Sequence, residues 1–204
     1  MILIVGHART GTSVLFQCLI NSGFNGGNNL FGHKYKTQDL LFNKVRVGLN
    51  EQLEDVNSRK YDFKPLWNYC ETNNIEVLKD PGFWPLFPLF YRDSERFKKF
   101  KFIWTTRVPK DVAESEVRLQ KIENVPPVED NWELTVEERL ESYRGYENLI
   151  KEYAIKVDSI IVDFDRMLNQ TEYVARELSE FLGREIDMGI VSRDETYEAT
   201  GVPQ

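Results

Sequence analysis

Ile2-Leu3-Ile4-Val5-Gly6-His7-Ala8-Arg9-Thr10-Gly11-Thr12-Ser13 is the stretch whose reading decides the fold. Its first four residues form an unbroken apolar run of the kind that fills a strand covered on both faces. Gly6 and Gly11 then bracket a short loop in the spacing GxxxxG. An apolar helical pattern follows from Thr12 to Ser22 and stops at Gly23, a natural residue for ending a helix. A strand that feeds such a loop into a helix N-terminus makes a cradle for an anion. Glycines let backbone N–H groups curl around oxygens, and the helix end adds partial positive charge. Thr12 stands where a nucleotide-hydrolysing loop would carry lysine. Arg9 supplies a cation instead, with a planar fork suited to phosphate or sulfate oxygens.

Working outward, strand and helix signals alternate. Two helical stretches cover 37–56 and 61–73, and a short strand, Glu76 to Lys79, ends at Asp80-Pro81-Gly82. The aromatic segment 83–98 reads as mostly helical, Phe100 to Thr106 as a strand, and 109–121 as a helix opened by Pro109. Asn124 to Trp132 contains Pro126-Pro127 and reads as an exposed loop or lid. A long helix over 134–155, a strand from Ser159 to Asp163 and a helix over 166–182 complete the pattern. This predicts an α/β, P-loop-type three-layer fold: one domain over 1–204 with a central, mostly parallel β-sheet flanked by helices. Ligands of such sheets gather at the carboxyl ends of the strands. The segments after Val5, Leu78 and Thr106 all fall there.

The totals narrow the function. A net charge of −7 and a pI near 5.1 argue against nucleic acid and against acidic membranes as partners, so cationic sites must be local. Cys18 and Cys70 each sit in an apolar helical pattern and read as buried thiols. With two histidines and no CxxC pair, no metal site is expected. No apolar run reaches the roughly 20 residues of a membrane helix, and no signal-peptide pattern opens the sequence, so a cytoplasmic location is expected.

A second motif is more specific than the first. In Arg107-Val108-Pro109-Lys110-Asp111-Val112-Ala113-Glu114-Ser115 an arginine ends a strand, a proline starts a helix, and a serine lies in its second turn. Cation and hydroxyl can converge on one anion near the helix N-terminus. This segment resembles the 3′-phosphate motif of the sulfotransferases that use 3′-phosphoadenosine 5′-phosphosulfate (PAPS). Arg9-Thr10-Gly11-Thr12-Ser13 is similar to the loop of that family that holds the 5′-phosphosulfate, with Ala8 in place of its usual proline and Thr10 in place of its serine. Val77-Leu78-Lys79-Asp80-Pro81 resembles the Lys-Asp-Pro strand end of tyrosylprotein and related bacterial members. Ile160 to Asp165, followed by Phe181-Leu182-Gly183, is similar to the family's late strand and closing helix.

The resemblance implies a transferase that moves a sulfonate group from PAPS to an acceptor hydroxyl, leaves the 3′,5′-bisphosphate nucleotide as product and needs no metal. It places Arg107 and Ser115 on the 3′-phosphate, the loop residues Arg9, Thr10, Gly11, Thr12 and Ser13 on the 5′ side, and Phe164 near the adenine. Arg9 and Lys79 become the groups that receive charge as the bond to the leaving nucleotide breaks. His33 leads as general base, because the loop after the first helix carries the base in some relatives; Tyr35 stands where many bacterial relatives have glutamate, so His7, Asp39 and Asp80 are alternatives. Phe31, Trp84, Phe87 and Trp132 are the expected lining of the acceptor pocket, suited to a carbohydrate or another small alcohol. The chain is short for the family, so a second copy in a homodimer could complete that side. The competing reading is a P-loop nucleotide or small-molecule kinase, with Asp80 as its metal-binding carboxylate.

Overall fold

A computed structural model describes residues 1–26, 70–80, 84–122 and 135–191. Four strands, β1 (Ile2–Gly6), β2 (Val77–Asp80), β3 (Lys101–Thr106) and β4 (Asp158–Asp163), form one sheet in the order β2-β1-β3-β4. Every pairing is parallel, with Val5 opposite Asp80 and Trp104, and Thr106 opposite Asp163. The carboxyl ends of all four strands therefore lie along one edge.

The helices are α1 (Thr12–Asn21), α2 (Phe87–Asp93), α3 (Pro109–Ile122), α4 (Val136–Tyr153), α5 (Phe164–Asn169) and α6 (Thr171–Leu182). Side-chain alternation along the strands sorts them onto two faces. Leu3, Val5, Leu78, Phe102 and Trp104 point to one side, where they pack with Phe87, Phe90 and Phe97 and with Tyr143 and Tyr146 of α4. Ile2, Ile4, Val77, Ile103 and Val162 point to the other, against Leu15 and Leu19 of α1, Met167 of α5 and Leu178 of α6. Both faces are covered, which is why β1 reads as a continuous apolar run. The three-layer α/β prediction is met.

Two local expectations change. The helix predicted over 166–182 is two helices. Asp163 accepts a hydrogen bond from Arg166 N (3.0 Å) and so starts α5 two residues earlier, at Phe164. Gln170 then leaves helical geometry (φ −136°, ψ 41°), and the Thr171 hydroxyl donates to the Met167 carbonyl as α6 begins. The helix predicted over 134–155 runs over Val136–Tyr153 instead, because Thr135 and Glu138 close a reciprocal capping box at its start. The helical predictions over 37–56 and most of 61–73, and the loop Asn124–Trp132, lie outside the described residues.

The two cysteines are buried on opposite faces of the sheet, Cys18 with the α1 side and Cys70 with the α2 side. Burial pushes their thiols up to about 12 and about 11 respectively. They are inert core residues, as expected. Among the described residues no helix is long and apolar enough to cross a membrane.

Candidate functional site

The loop after β1 is shaped by its own backbone. Arg9 (φ 68°) and Gly11 (φ 87°) both take left-handed geometry, which is uncommon for arginine and free for glycine. Gly6 is crowded: a Cβ there would lie 2.3 Å from Thr105 Oγ1 and 2.4 Å from Thr12 Cγ2. Thr10 ties the turn together. Its hydroxyl donates to the His7 carbonyl (2.6 Å) and meets Thr105 Oγ1 at 2.7 Å. With its side chain fully buried in those bonds, Thr10 braces the loop instead of presenting its hydroxyl to a ligand. Gly11 precedes the first residue of helix α1, which has no side-chain cap and no acidic residue in its first turn. Its first N–H groups have no competing carboxylate, a good setting for an anion.

The segment after β3 brings the second arginine to the same edge. The Arg107 guanidinium stands 4.7 Å above the Phe164 ring, and its Nη1 reaches toward the Arg9 carbonyl (3.4 Å). Arg9 Nε in turn donates to Ser115 Oγ (3.0 Å) across 106 residues of sequence. Arg9, Arg107, Ser115 and Phe164, all singled out from the sequence, thus form one connected group. Phe164 also backs Gly11, since a Cβ at Gly11 would come within 2.3 Å of its ring. Arg107 Nε is buried and makes no hydrogen bond within the protein. An uncapped helix start, two guanidinium groups and a serine hydroxyl thus lie together at one edge of the sheet, a chemistry suited to anionic groups.

Lys79 also belongs to this edge. It is 7% exposed, and its ammonium donates to Ser13 Oγ (3.0 Å) at the first turn of α1. This is not the setting of a solvated lysine. Among the general-base candidates, His33 and Asp39 lie outside the described residues, and so does the side chain of Asp80. His7 is buried. Its Nε2 lies 2.9 Å from Ser142 Oγ and its Nδ1 3.3 Å from Glu116 Oε1. The expected acceptor lining fares unevenly. Phe31 and Trp132 lie outside the described residues, and Trp84 is half-buried against His7 and Tyr146. Phe87 is wholly buried among Phe97, Phe102 and Trp104, and is a core residue.

One face of α4 carries two tyrosines, passed over in the sequence, whose hydroxyls bond to the strand ends at the site. The Tyr143 hydroxyl accepts from Arg107 N (3.0 Å) and donates to Arg107 O (2.8 Å). The Tyr146 hydroxyl reaches the carbonyls of Val5 (3.0 Å) and Thr105 (2.8 Å), binding the ends of β1 and β3 together. Burial holds the Tyr143 phenol up at about 12 and that of Tyr146 well above the ordinary value. Both stay protonated donors near neutral pH. Two tyrosines three positions apart on an amphipathic helix look like ordinary core in the sequence. The only available signal was that a buried phenol needs a polar partner.

No family model matches the chain, and no curated protein matches it. Solved structures do. The sulfotransferase domain of the Synechococcus PCC 7002 olefin synthase matches with a TM-score of 0.62 at 17% identity, covering 92% of this chain and 74% of that one. The sulfotransferase domain of the curacin biosynthetic pathway matches with a TM-score of 0.58 at 18% identity, over 92% and 75%. The chain has the P-loop α/β fold of sulfotransferase domains.

Proposed function

We propose that the chain is a PAPS-dependent sulfotransferase that places a sulfonate group on the hydroxyl of a carbohydrate or another small alcohol. The observation that carries this reading is the 3.0 Å bond from Arg9 to Ser115, which joins the loop motif to the second arginine–serine motif at one edge of the sheet. A nucleotide with phosphates at both its 5′ and 3′ positions has the two anionic ends that such a pair of motifs can take. The fold it shares with sulfotransferase domains supports the same reading.

Bound PAPS supplies the sulfonate group and a nucleotide leaving group. The chain's own residues bind, orient and balance charge. The α1 N-terminus, with Arg9, Gly11, Thr12 and Ser13, takes the 5′ side, while Arg107 and Ser115 take the 3′-phosphate and Phe164 flanks the adenine. Lys79 sits at Ser13, where an ammonium can offset charge that builds on the leaving group. His33 remains the proposed base for the acceptor hydroxyl.

Calorimetric titration with 3′-phosphoadenosine 5′-phosphate, with ATP and AMP as controls and no added metal, tests the proposal. Micromolar binding that collapses for AMP is expected. Absence of binding, or a preference for magnesium and ATP, would overturn the reading and favour the kinase.

A further inference from the structure

Arg107 is the residue on which 3′-phosphate recognition rests in the reading above, and its position is not set by its own segment. β3 ends at Thr106 and α3 begins at Pro109, so Arg107 and Val108 form a two-residue bridge between strand and helix. Arg107 belongs to neither ladder. Both of its backbone hydrogen-bonding groups close on a single atom, the hydroxyl of Tyr143, which accepts from the amide and donates to the carbonyl. Tyr143 is 1% exposed and packs edge-on against Tyr146 (5.8 Å between centroids), so its ring cannot swing away without disturbing the core. Its neighbour Tyr146 fixes the same helix to the ends of β1 and β3. Helix α4 thereby carries the register of the strand ends to the arginine.

We infer that Tyr143 is a positioning residue for nucleotide recognition: its hydroxyl fixes the backbone of Arg107 so that the guanidinium stands over Phe164 and faces the 3′-phosphate. The inference rests on the nucleotide reading above and adds to it a residue that touches no ligand. Losing the hydroxyl frees the Arg107 peptide to rotate and releases the guanidinium from its place over the ring. Part of the binding free energy is then spent on ordering the arginine. The loss falls mainly on the 3′-phosphate, because the turn at the 5′ end is set by Thr10 and Gly11, and only the 3.4 Å contact from Arg107 to the Arg9 carbonyl links the two.

The test compares the affinity for 3′-phosphoadenosine 5′-phosphate with that for AMP in wild type, Tyr143→Phe, Arg107→Ala and the double variant. In Tyr143→Phe the preference for the bisphosphate should fall about tenfold, as loss of paired hydrogen bonds implies, while AMP affinity stays within a factor of two. In the Arg107→Ala background the second substitution should change the preference no further. An unaltered preference in Tyr143→Phe, or equal losses for both nucleotides, would overturn the positioning role. A wild type with no preference at all would instead overturn the nucleotide reading. Should Tyr143→Phe fail to fold, amide exchange in the wild type decides. Protection of the Arg107 amide that deepens on adding the bisphosphate supports the role, and fast exchange in both states overturns it.

Discussion

The loop after β1 and the segment after β3 each deliver an arginine to the same edge of the sheet, yet they are held there by different means. The loop carries its own turn, with further bonds to β3 and α3. Its left-handed residues, Arg9 and Gly11, lie within the turn, and Thr10 bonds back to the His7 carbonyl three residues earlier. The segment after β3 is held from outside, by a hydroxyl 36 residues away on α4. A turn set by its own backbone geometry is broken most directly from within. A segment clamped at a distance can be loosened by a change that touches neither the ligand nor the motif.

The largest expected effect comes from breaking the turn after β1. In Gly11→Ala a Cβ must take up left-handed backbone and also press into Phe164 at 2.3 Å. Backbone strain and overpacking together should cost about 2–4 kcal/mol of stability, read as a lower urea midpoint. Nucleotide affinity should fall with it, for the bisphosphate and AMP alike, because the shared 5′ end of the cradle is lost. A variant within about 0.5 kcal/mol of wild type would show that the turn is not set by Gly11. Losing affinity for both nucleotides is the opposite of the selective loss expected from Tyr143→Phe, and the two variants together sharpen the contrast.

A smaller loss is expected from Thr10→Val, which keeps the shape of the turn and removes its brace. The His7 carbonyl and the Thr105 hydroxyl each lose a partner. Buried groups left in this way should cost about 1–2 kcal/mol, measured by urea unfolding. If stability is unchanged, the turn stands on backbone geometry alone and Thr10 is replaceable.

The same contrast explains what could be read from the sequence. Residues 2–13 display strand, turn and helix start within a dozen positions, so the fold and the loop were legible there. The Arg107–Ser115 motif was legible for the same reason, since its proline and serine lie within one local stretch. Its connection to Arg9 through Ser115 required only that both motifs end parallel strands on one edge. Tyr143 and Tyr146 were not legible, because their spacing is equally that of a core helix, and only the packing of α4 against β1 and β3 turns their hydroxyls into clamps. Phe87 failed in the opposite direction. An aromatic next to a strand end looked like pocket lining, but the rings of Tyr91, Phe97, Phe102, Trp104 and Tyr153 lie near it, and it closes the core. The split between α5 and α6 depended on a cap at Asp163 and a break at Gln170 that apolar periodicity does not register.

One further effect is hidden altogether at neutral pH. The loop's own bonds, from the Thr10 hydroxyl to the His7 carbonyl and Thr105, involve no titrating group. The distant clamp depends on a phenol. Burial raises the Tyr143 pKa from an ordinary value of 10 to about 12, so the folded state holds this proton more tightly than the unfolded chain does. Its contribution to stability is complete below pH 10 and is lost as pH rises through about 12. Cys18 and Cys70 have raised values as well and lose stability over part of the same range, so wild type alone cannot isolate the tyrosine. The difference in unfolding free energy between wild type and Tyr143→Phe isolates it. That difference should be constant from pH 7 to about 10 and shrink toward pH 12, because the phenylalanine variant has no proton to lose there. A difference that stays flat across this range would mean the hydroxyl is not buried against Arg107 in solution. The distant clamp would then dissolve as an explanation, leaving the arginine to be held by Phe164 and the Arg9 carbonyl alone.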